Sequence, residues 1–134
     1  LPGQHLFQYL DAQGTGHAID SGMVNQYLCE TMGEEFTAKD FRTWHATVHA
    51  IELLRALPVP QPLHRSVARR ISMEVLRGVA KLLRNTPAVC RKSYVNPDLF
   101  LAWEKGTIGR HFQQLTQLRG RRGERTLLRF LRAQ

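Results

Sequence analysis

Cysteine is scarce in this chain: Cys29 and Cys90 are the only two among 134 residues. Both fall in apolar segments of helical spacing, so a disulfide framework is excluded and two buried, reduced thiols are expected. No apolar stretch approaches the roughly 20 residues that span a bilayer, which excludes a transmembrane helix. The opening Leu1-Pro2-Gly3-Gln4 has neither an initiator Met nor a signal peptide, and the expectation is a chain cut from a longer one. Internal repeats and low-complexity tracts are lacking. So are Lys and Arg throughout the first 35 positions.

What is present is one domain's worth of material. A hydrophobic content of 43%, at a length where folding buries roughly 70% of the unfolded chain's surface, supports an independent core. The net charge of +8 is unevenly placed. Residues 1–40 carry Asp11, Asp20, Glu30, Glu34, Glu35 and Asp40 against Lys39 alone. From Arg65 to Lys92 the balance reverses, with Glu74 the single acid, and the tail adds Arg119, Arg121, Arg122, Arg125, Arg129 and Arg132. That asymmetry is the electrostatic footprint of a polyanion partner.

The pattern along the chain is almost wholly helical. Leu6–Tyr9 and His17–Ile19 flank a Gly-containing turn and read as a short hairpin or paired extended segment. The Gly14-Thr15-Gly16 triplet lacks the longer pattern of a phosphate-binding loop. Asp20 or Ser21 can cap a helix to about Met32, with Met23, Val24, Tyr27 and Leu28 inward. Thr37 and Asp40 resemble a capping box that opens a long helix, with Phe41, Trp44, Val48, Ile51 and Leu54 as its core stripe. Leu57-Pro58-Val59-Pro60-Gln61-Pro62 is a connector that no helix crosses. A second long helix follows, about His64 to Leu83, burying Val67, Ile71, Val75, Val79 and Leu82. Thr86-Pro87 starts a short helix that ends near Tyr94. Asn96-Pro97 starts another to about Lys105, and two more are expected near 107–117 and 123–132. The fold class is mainly α: a compact multi-helix domain with a short N-terminal β-hairpin or extended segment.

Arg42, Asn85 and Tyr94 stand out when a phosphate-handling site is sought. Arg42 follows Phe41 on the first turn of its helix, where a buried stem can hold a guanidinium rigidly. The guanidinium presents a planar, permanently charged fork to phosphate oxygens. Asn85 lies in the irregular stretch before Thr86-Pro87, and Tyr94 at the far end of the short helix. Arg91, three residues earlier, is a helical neighbour able to attract a phosphate. Taken singly, Arg42 is more often a surface ion-pair partner, Asn85 more often a helix cap and Tyr94 more often an aromatic at the core rim. His45 and His49 have a spacing that could bind zinc, but no Glu follows His45 and no third ligand is near, so no metal site is assigned.

Two segments carry a resemblance that selects among these readings. Phe36-Thr37-Ala38-Lys39-Asp40-Phe41-Arg42-Thr43-Trp44 and Asn85-Thr86-Pro87-Ala88-Val89-Cys90-Arg91-Lys92-Ser93-Tyr94 resemble the signature motifs of type IB DNA topoisomerases, bacterial and poxvirus-like forms especially. The opening Leu-Pro-Gly-Gln-His-Leu-Phe-Gln-Tyr-Leu and the Leu/Arg-rich tail fit as well. The resemblance implies the C-terminal portion of such a catalytic domain, the upstream part being absent, and the fold shared with tyrosine recombinases. It implies that Tyr94 is the nucleophile forming a 3′-phosphotyrosyl link, that Arg42 contacts a non-bridging oxygen of the scissile phosphate, and that Asn85 donates to the same phosphate where other members carry His. Lys39 stands where the related recombinases carry the His of a His-x-x-Arg motif; with Arg91 and Lys92 it is expected to contact DNA.

The implied activity is relaxation of supercoiled double-stranded DNA by transient single-strand cleavage and religation. No cofactor is implied, neither ATP nor a metal. The expected protein is a monomer without membrane association, cytoplasmic and bound to nucleoid DNA. Two departures are visible: Arg84 where the family commonly has Gly, and Asn96 where it often has His. Family members also carry a further Arg and a Lys general acid on preceding segments, so these 134 residues alone are expected to be close to inert. A tyrosine recombinase or integrase fragment is the nearest rival, against which Lys39-x-x-Arg42, Phe41 and Trp44 argue. A non-catalytic helical DNA-binding module would explain the charge but not the two motifs.

Overall fold

The computed structural model describes residues 5–33, 35–113, 115, 118 and 120–133. As the sequence predicts, the chain is mainly helical with a short N-terminal hairpin. It divides into two units, residues 1–41 and 42–134.

The first unit begins with β1 (Gln8–Leu10) and β2 (Gly16–Ala18), antiparallel with Tyr9 opposite His17. Asp11 builds the turn: its Oδ1 accepts from the Gln13 and Thr15 amides at 3.0 and 2.8 Å, and its Oδ2 meets His17 Nε2 at 2.7 Å. Helix α1 (Ser21–Met32) is capped by Asp20, which accepts from the Met23 amide, and ends at Gly33. Its boundaries follow the sequence reading, but its expected inward face does not. Met23, Val24 and Tyr27 are exposed, Cys29 is exposed too, and no described residue of this unit is buried. A three-residue hairpin and one helix supply no second layer within the unit for an apolar face to pack against.

Helix α2 (Ala38–Arg55) opens on half of the expected capping box. The Asp40 carboxylate reaches back to the Thr37 amide at 2.9 Å, yet it also takes the Thr37 hydroxyl at 2.6 Å, so that hydroxyl donates instead of capping. In the second unit α2 buries Ala46, Thr47, Val48, Ala50, Ile51 and Leu54. Trp44 is only half-buried and Phe41 is exposed. The inward face is centred on small residues that a reading of bulky side chains overlooks. Helix α3 (Arg65–Leu83) repeats the lesson by burying Ala68 and Ala80, and Leu83 takes the inward place expected of Leu82. The two helices meet closely at Gly78, where a Cβ would lie 2.7 Å from Leu53 Cδ1.

Four shorter helices complete the unit: α4 (Pro87–Ser93), α5 (Asp98–Glu104), α6 (Thr107–Phe112) and α7 (Arg121–Arg132). Helix α6 is shorter than its expected span; three of the later positions in that span, 114, 116 and 117, lie outside the described residues. Helix α7 starts two residues before Gly123, taking in part of the segment read as a basic connector. Cys90, Leu99, Trp103, Ile108, Phe112, Leu127 and Phe130 join the α2 and α3 residues in one hydrophobic cluster. Two polar bonds tie its periphery, from Trp103 Nε1 to the Leu57 carbonyl at 2.9 Å and from Arg55 to the Leu115 carbonyl at 2.7 Å.

Candidate phosphate-handling site

The end of α3 is the frame of the site. Arg84 adopts a left-handed conformation (φ 51°), so the Asn85 amide turns back to the Ala80 carbonyl at 2.9 Å and the Arg84 amide to Lys81 at 3.4 Å. This is the Schellman closure of a helix, which usually carries Gly at the left-handed position. The Gly that the resemblance leads one to expect where this chain has Arg84 would suit that conformation. The closure leaves the Leu83 carbonyl without a helical donor. Arg42 supplies one, its Nη2 donating to Leu83 at 2.9 Å. A half-buried guanidinium is thereby fixed on a helix end.

The segment after Asn85 then folds as the sequence predicts. Thr86 Oγ1 accepts from the Val89 amide at 3.3 Å, and Pro87 occupies the first helical position, where its missing N–H costs nothing. After two turns the chain leaves α4 at Tyr94 (φ −129°, ψ −23°), whose amide donates to the Cys90 carbonyl. The Tyr94 ring packs on the core cluster and faces Arg42, with the guanidinium carbon 5.4 Å from the ring centre. That lies within cation–π range. Burial pushes the Cys90 thiol up from its ordinary pKa, while the Arg42 charge pulls it the other way.

Arg42 and Tyr94 are therefore brought together. Asn85 sits two residues beyond the carbonyl that holds Arg42, and its Oδ1 accepts from the Thr86 amide at 3.1 Å. Its amide N–H₂ is the end left to donate. Among the described residues, no hydrogen bond or ring contact joins Asn85 to Arg42 or Tyr94. Lys92 is exposed on the last turn of α4. Lys39 lies exposed in the first turn of α2, within the first unit; the neighbouring Asp40 carboxyl is held below the usual carboxylate range by the Thr37 hydroxyl and amide, with the Lys39 charge adding least.

Arg91, exposed on α4, lines a hollow of about 490 Å³ between α3 and α5 with Arg65, Arg69 and Phe100. Arg42 is a cation that packs on the Tyr94 ring. Sequence reasoning missed the Leu83 carbonyl as the anchor of Arg42. A backbone carbonyl leaves no signal in the sequence, and with Arg rather than Gly at 84 the left-handed turn beside it is not announced either.

Comparison with known proteins bears on this arrangement. The family model described as the eukaryotic DNA topoisomerase I catalytic core matches residues 1–117. A curated protein of Acanthamoeba polyphaga mimivirus, DNA topoisomerase 1B, is 33% identical over an alignment of 116 residues that takes in 75% of this chain. The alignment covers 34% of the viral protein, so the chain spans about a third of that relative's length. Arg42, Asn85 and Tyr94 all fall inside the matched stretch, and with it the chain belongs to the eukaryotic DNA topoisomerase I catalytic-core family.

Proposed function

We propose that the full-length protein relaxes supercoiled double-stranded DNA through a transient single-strand break, and that these residues are the C-terminal portion of its catalytic domain. Tyr94 is the nucleophile. Its phenol oxygen bonds to phosphorus as the bond to the 5′ oxygen breaks, leaving a 3′-phosphotyrosyl link and a free 5′ hydroxyl. The phenol proton is lost and the departing oxygen gains one, which calls for a general acid that the preceding part of the protein supplies. The cut strand swivels, and the reverse attack reseals it. Because the phosphotyrosyl ester keeps the bond energy, ATP is not consumed.

Attack on phosphorus places additional negative charge on the equatorial oxygens. Fixed donors aimed at that charge are typically worth about 10²–10³ in rate each. Arg42 has one N–H committed to Leu83 and presents the rest of its fork beside Tyr94. Asn85 adds a neutral donor to the same phosphate, and these groups do the charge stabilisation that a metal would otherwise perform. Lys39, Arg91 and Lys92 contact the flanking duplex backbone. The observation that carries this reading is the Arg42–Tyr94 juxtaposition at 5.4 Å.

The test is incubation of full-length protein with supercoiled plasmid in chelator and without ATP. Relaxation is expected, with a protein–DNA adduct trapped by denaturant, and Tyr94→Phe should abolish both. Relaxation that survives Tyr94→Phe would reduce the chain to a DNA-binding module. Strand exchange between two sites would make it a recombinase.

A further inference from the structure

Helix α7 follows the stretch that the family model matches. It is sharply two-sided. Gly123, Leu127 and Phe130 are buried, while Arg121, Arg122, Arg125, Arg129 and Arg132 are all exposed. At helical periodicity all five arginines fall within an arc of about 100°, diametrically opposite the buried face. Glu124 lies off that arc and is the only acid of the helix. From Arg122 to Arg132 the stripe runs about 15 Å.

The rotation of this helix is fixed. A Cβ on Gly123 would fall 2.7 Å from the Leu118 Cα, so backbone meets backbone there with no room for a side chain. At the other end the Phe130 ring stacks edge-on against Phe112 at 5.2 Å and tilts against His111 at 5.4 Å. These contacts prevent the helix from rolling and hold the arginine stripe outward. A solvated face needs neither one sign of charge nor one residue type. This face is arginine, almost without interruption.

We propose that the α7 arginine stripe is a second DNA-binding surface, separate from the Arg42–Tyr94 site, that tracks duplex phosphates without reading bases. The inference rests on the proposal that this protein acts on DNA. Duplex DNA carries a charge about every 1.7 Å of its axis, so a stretch as long as the stripe presents on the order of nine phosphates. Guanidinium forks on a rigid helix can each engage one of them bidentately. The residues at the stripe's edges, Leu128, Ala133 and Thr126, add little that could distinguish one base from another. The surface supplies affinity beside the cleavage site and keeps the enzyme on the duplex while the cut strand turns.

The experiment is the salt dependence of equilibrium binding to a blunt duplex, with full-length protein. Three variants are compared with the parent: Arg122→Gln, Arg125→Gln, Arg129→Gln and Arg132→Gln combined; the same four positions changed to Lys; and Arg129→Gln alone. Each phosphate contact contributes about 0.9 to the slope of log K against log salt. The fourfold Gln variant should lose about 3–4 from the slope, the single variant about 0.9, and the Lys variant little. Circular dichroism confirms that each retains its helix content, and the single variant decides if the fourfold one does not. An unchanged slope overturns the proposal, as does a loss confined to binding of phosphatidylserine vesicles. Adduct formation at Tyr94 in the parent protein is scored separately. A slope that responds without any adduct keeps the surface and removes the enzymatic reading, whereas an adduct with an unresponsive slope does the reverse.

Discussion

Arg42 donates to the carbonyl of Leu83 at 2.9 Å, a bond between the helix that carries one signature motif and the helix end that precedes the other. The same guanidinium faces the Tyr94 ring. One side chain thus joins two segments far apart in sequence, and it does so with the group suited to phosphate.

Arg42→Lys separates charge from geometry. A lysine ammonium keeps the positive charge but has no planar fork, and it cannot serve the Leu83 carbonyl and a phosphate in the same way. Full-length Arg42→Lys should form the covalent adduct about 10²–10³ more slowly in single turnover, while binding duplex nearly as well as the parent. Loss of the half-buried charged hydrogen bond should also lower stability, by about 1–3 kcal/mol. An adduct rate equal to the parent's would show that Arg42 is a structural tie and nothing more.

Arg84 holds a left-handed conformation at φ 51°, which costs an L-residue roughly 1–2 kcal/mol. Arg84→Gly relieves that cost while giving back part of it as unfolded-state entropy. The net expectation is a gain of about 0.5–1 kcal/mol, a melting temperature higher by about 2–4 °C. Arg84→Val should move the melting temperature downward, because a β-branched side chain suits this conformation worst. A Gly variant that melts below the parent would mean that the Arg84 side chain makes a compensating contact.

These two residues also mark where the sequence was legible. The helix starts at Asp20 and Pro87 could be read directly, since a cap and a following Pro act on their own neighbourhood. The pairing of Arg42 with Tyr94 could be anticipated only through resemblance, because the Leu83 carbonyl that fixes Arg42 is backbone and leaves no mark in composition. The inward faces of α2 and α3 were read from their bulky residues, whereas Ala46, Ala50, Ala68 and Ala80 do much of the packing where the helices approach.

Asp40 gives a pH dependence of known sign. Its carboxyl is held below the usual carboxylate range, first by the Thr37 hydroxyl and then by the Thr37 amide. A depressed folded pKa means that its contribution is fully present above the unfolded value and disappears as pH falls through the folded one. The start of α2 should therefore keep its cap down to pH 3.8, the unfolded reference value, and lose it only below that, as pH falls through the lowered folded value. Following the Thr37 amide resonance by NMR would check this, with Asp40→Asn as the control in which the acid transition is absent. A Thr37 resonance that titrates equally in both proteins would assign the transition to another group.

Gly123 and Phe130 settle how firmly α7 is held. In an exposed helix, Gly→Ala gains about 1 kcal/mol of propensity. Here the new methyl meets the backbone of Leu118, which cannot swing aside as a side chain would. Overpacking of that kind costs about 1–3 kcal/mol, so Gly123→Ala should destabilise in spite of its better helix propensity. Phe130→Ala opens a cavity in the cluster and removes the edge-on contact with Phe112, for a loss of about 3–5 kcal/mol. Because Phe130 is far from the Arg42–Tyr94 pair along the chain, hydrogen exchange offers the sharper reading. Protection should fall first at amides 121–132, and those of α4 should follow only as global stability is lost. Uniform loss over α4 and α7 at low denaturant would mean that α7 opens only together with the rest of the cluster, and the arginine stripe would then be inseparable from the fold that presents Tyr94.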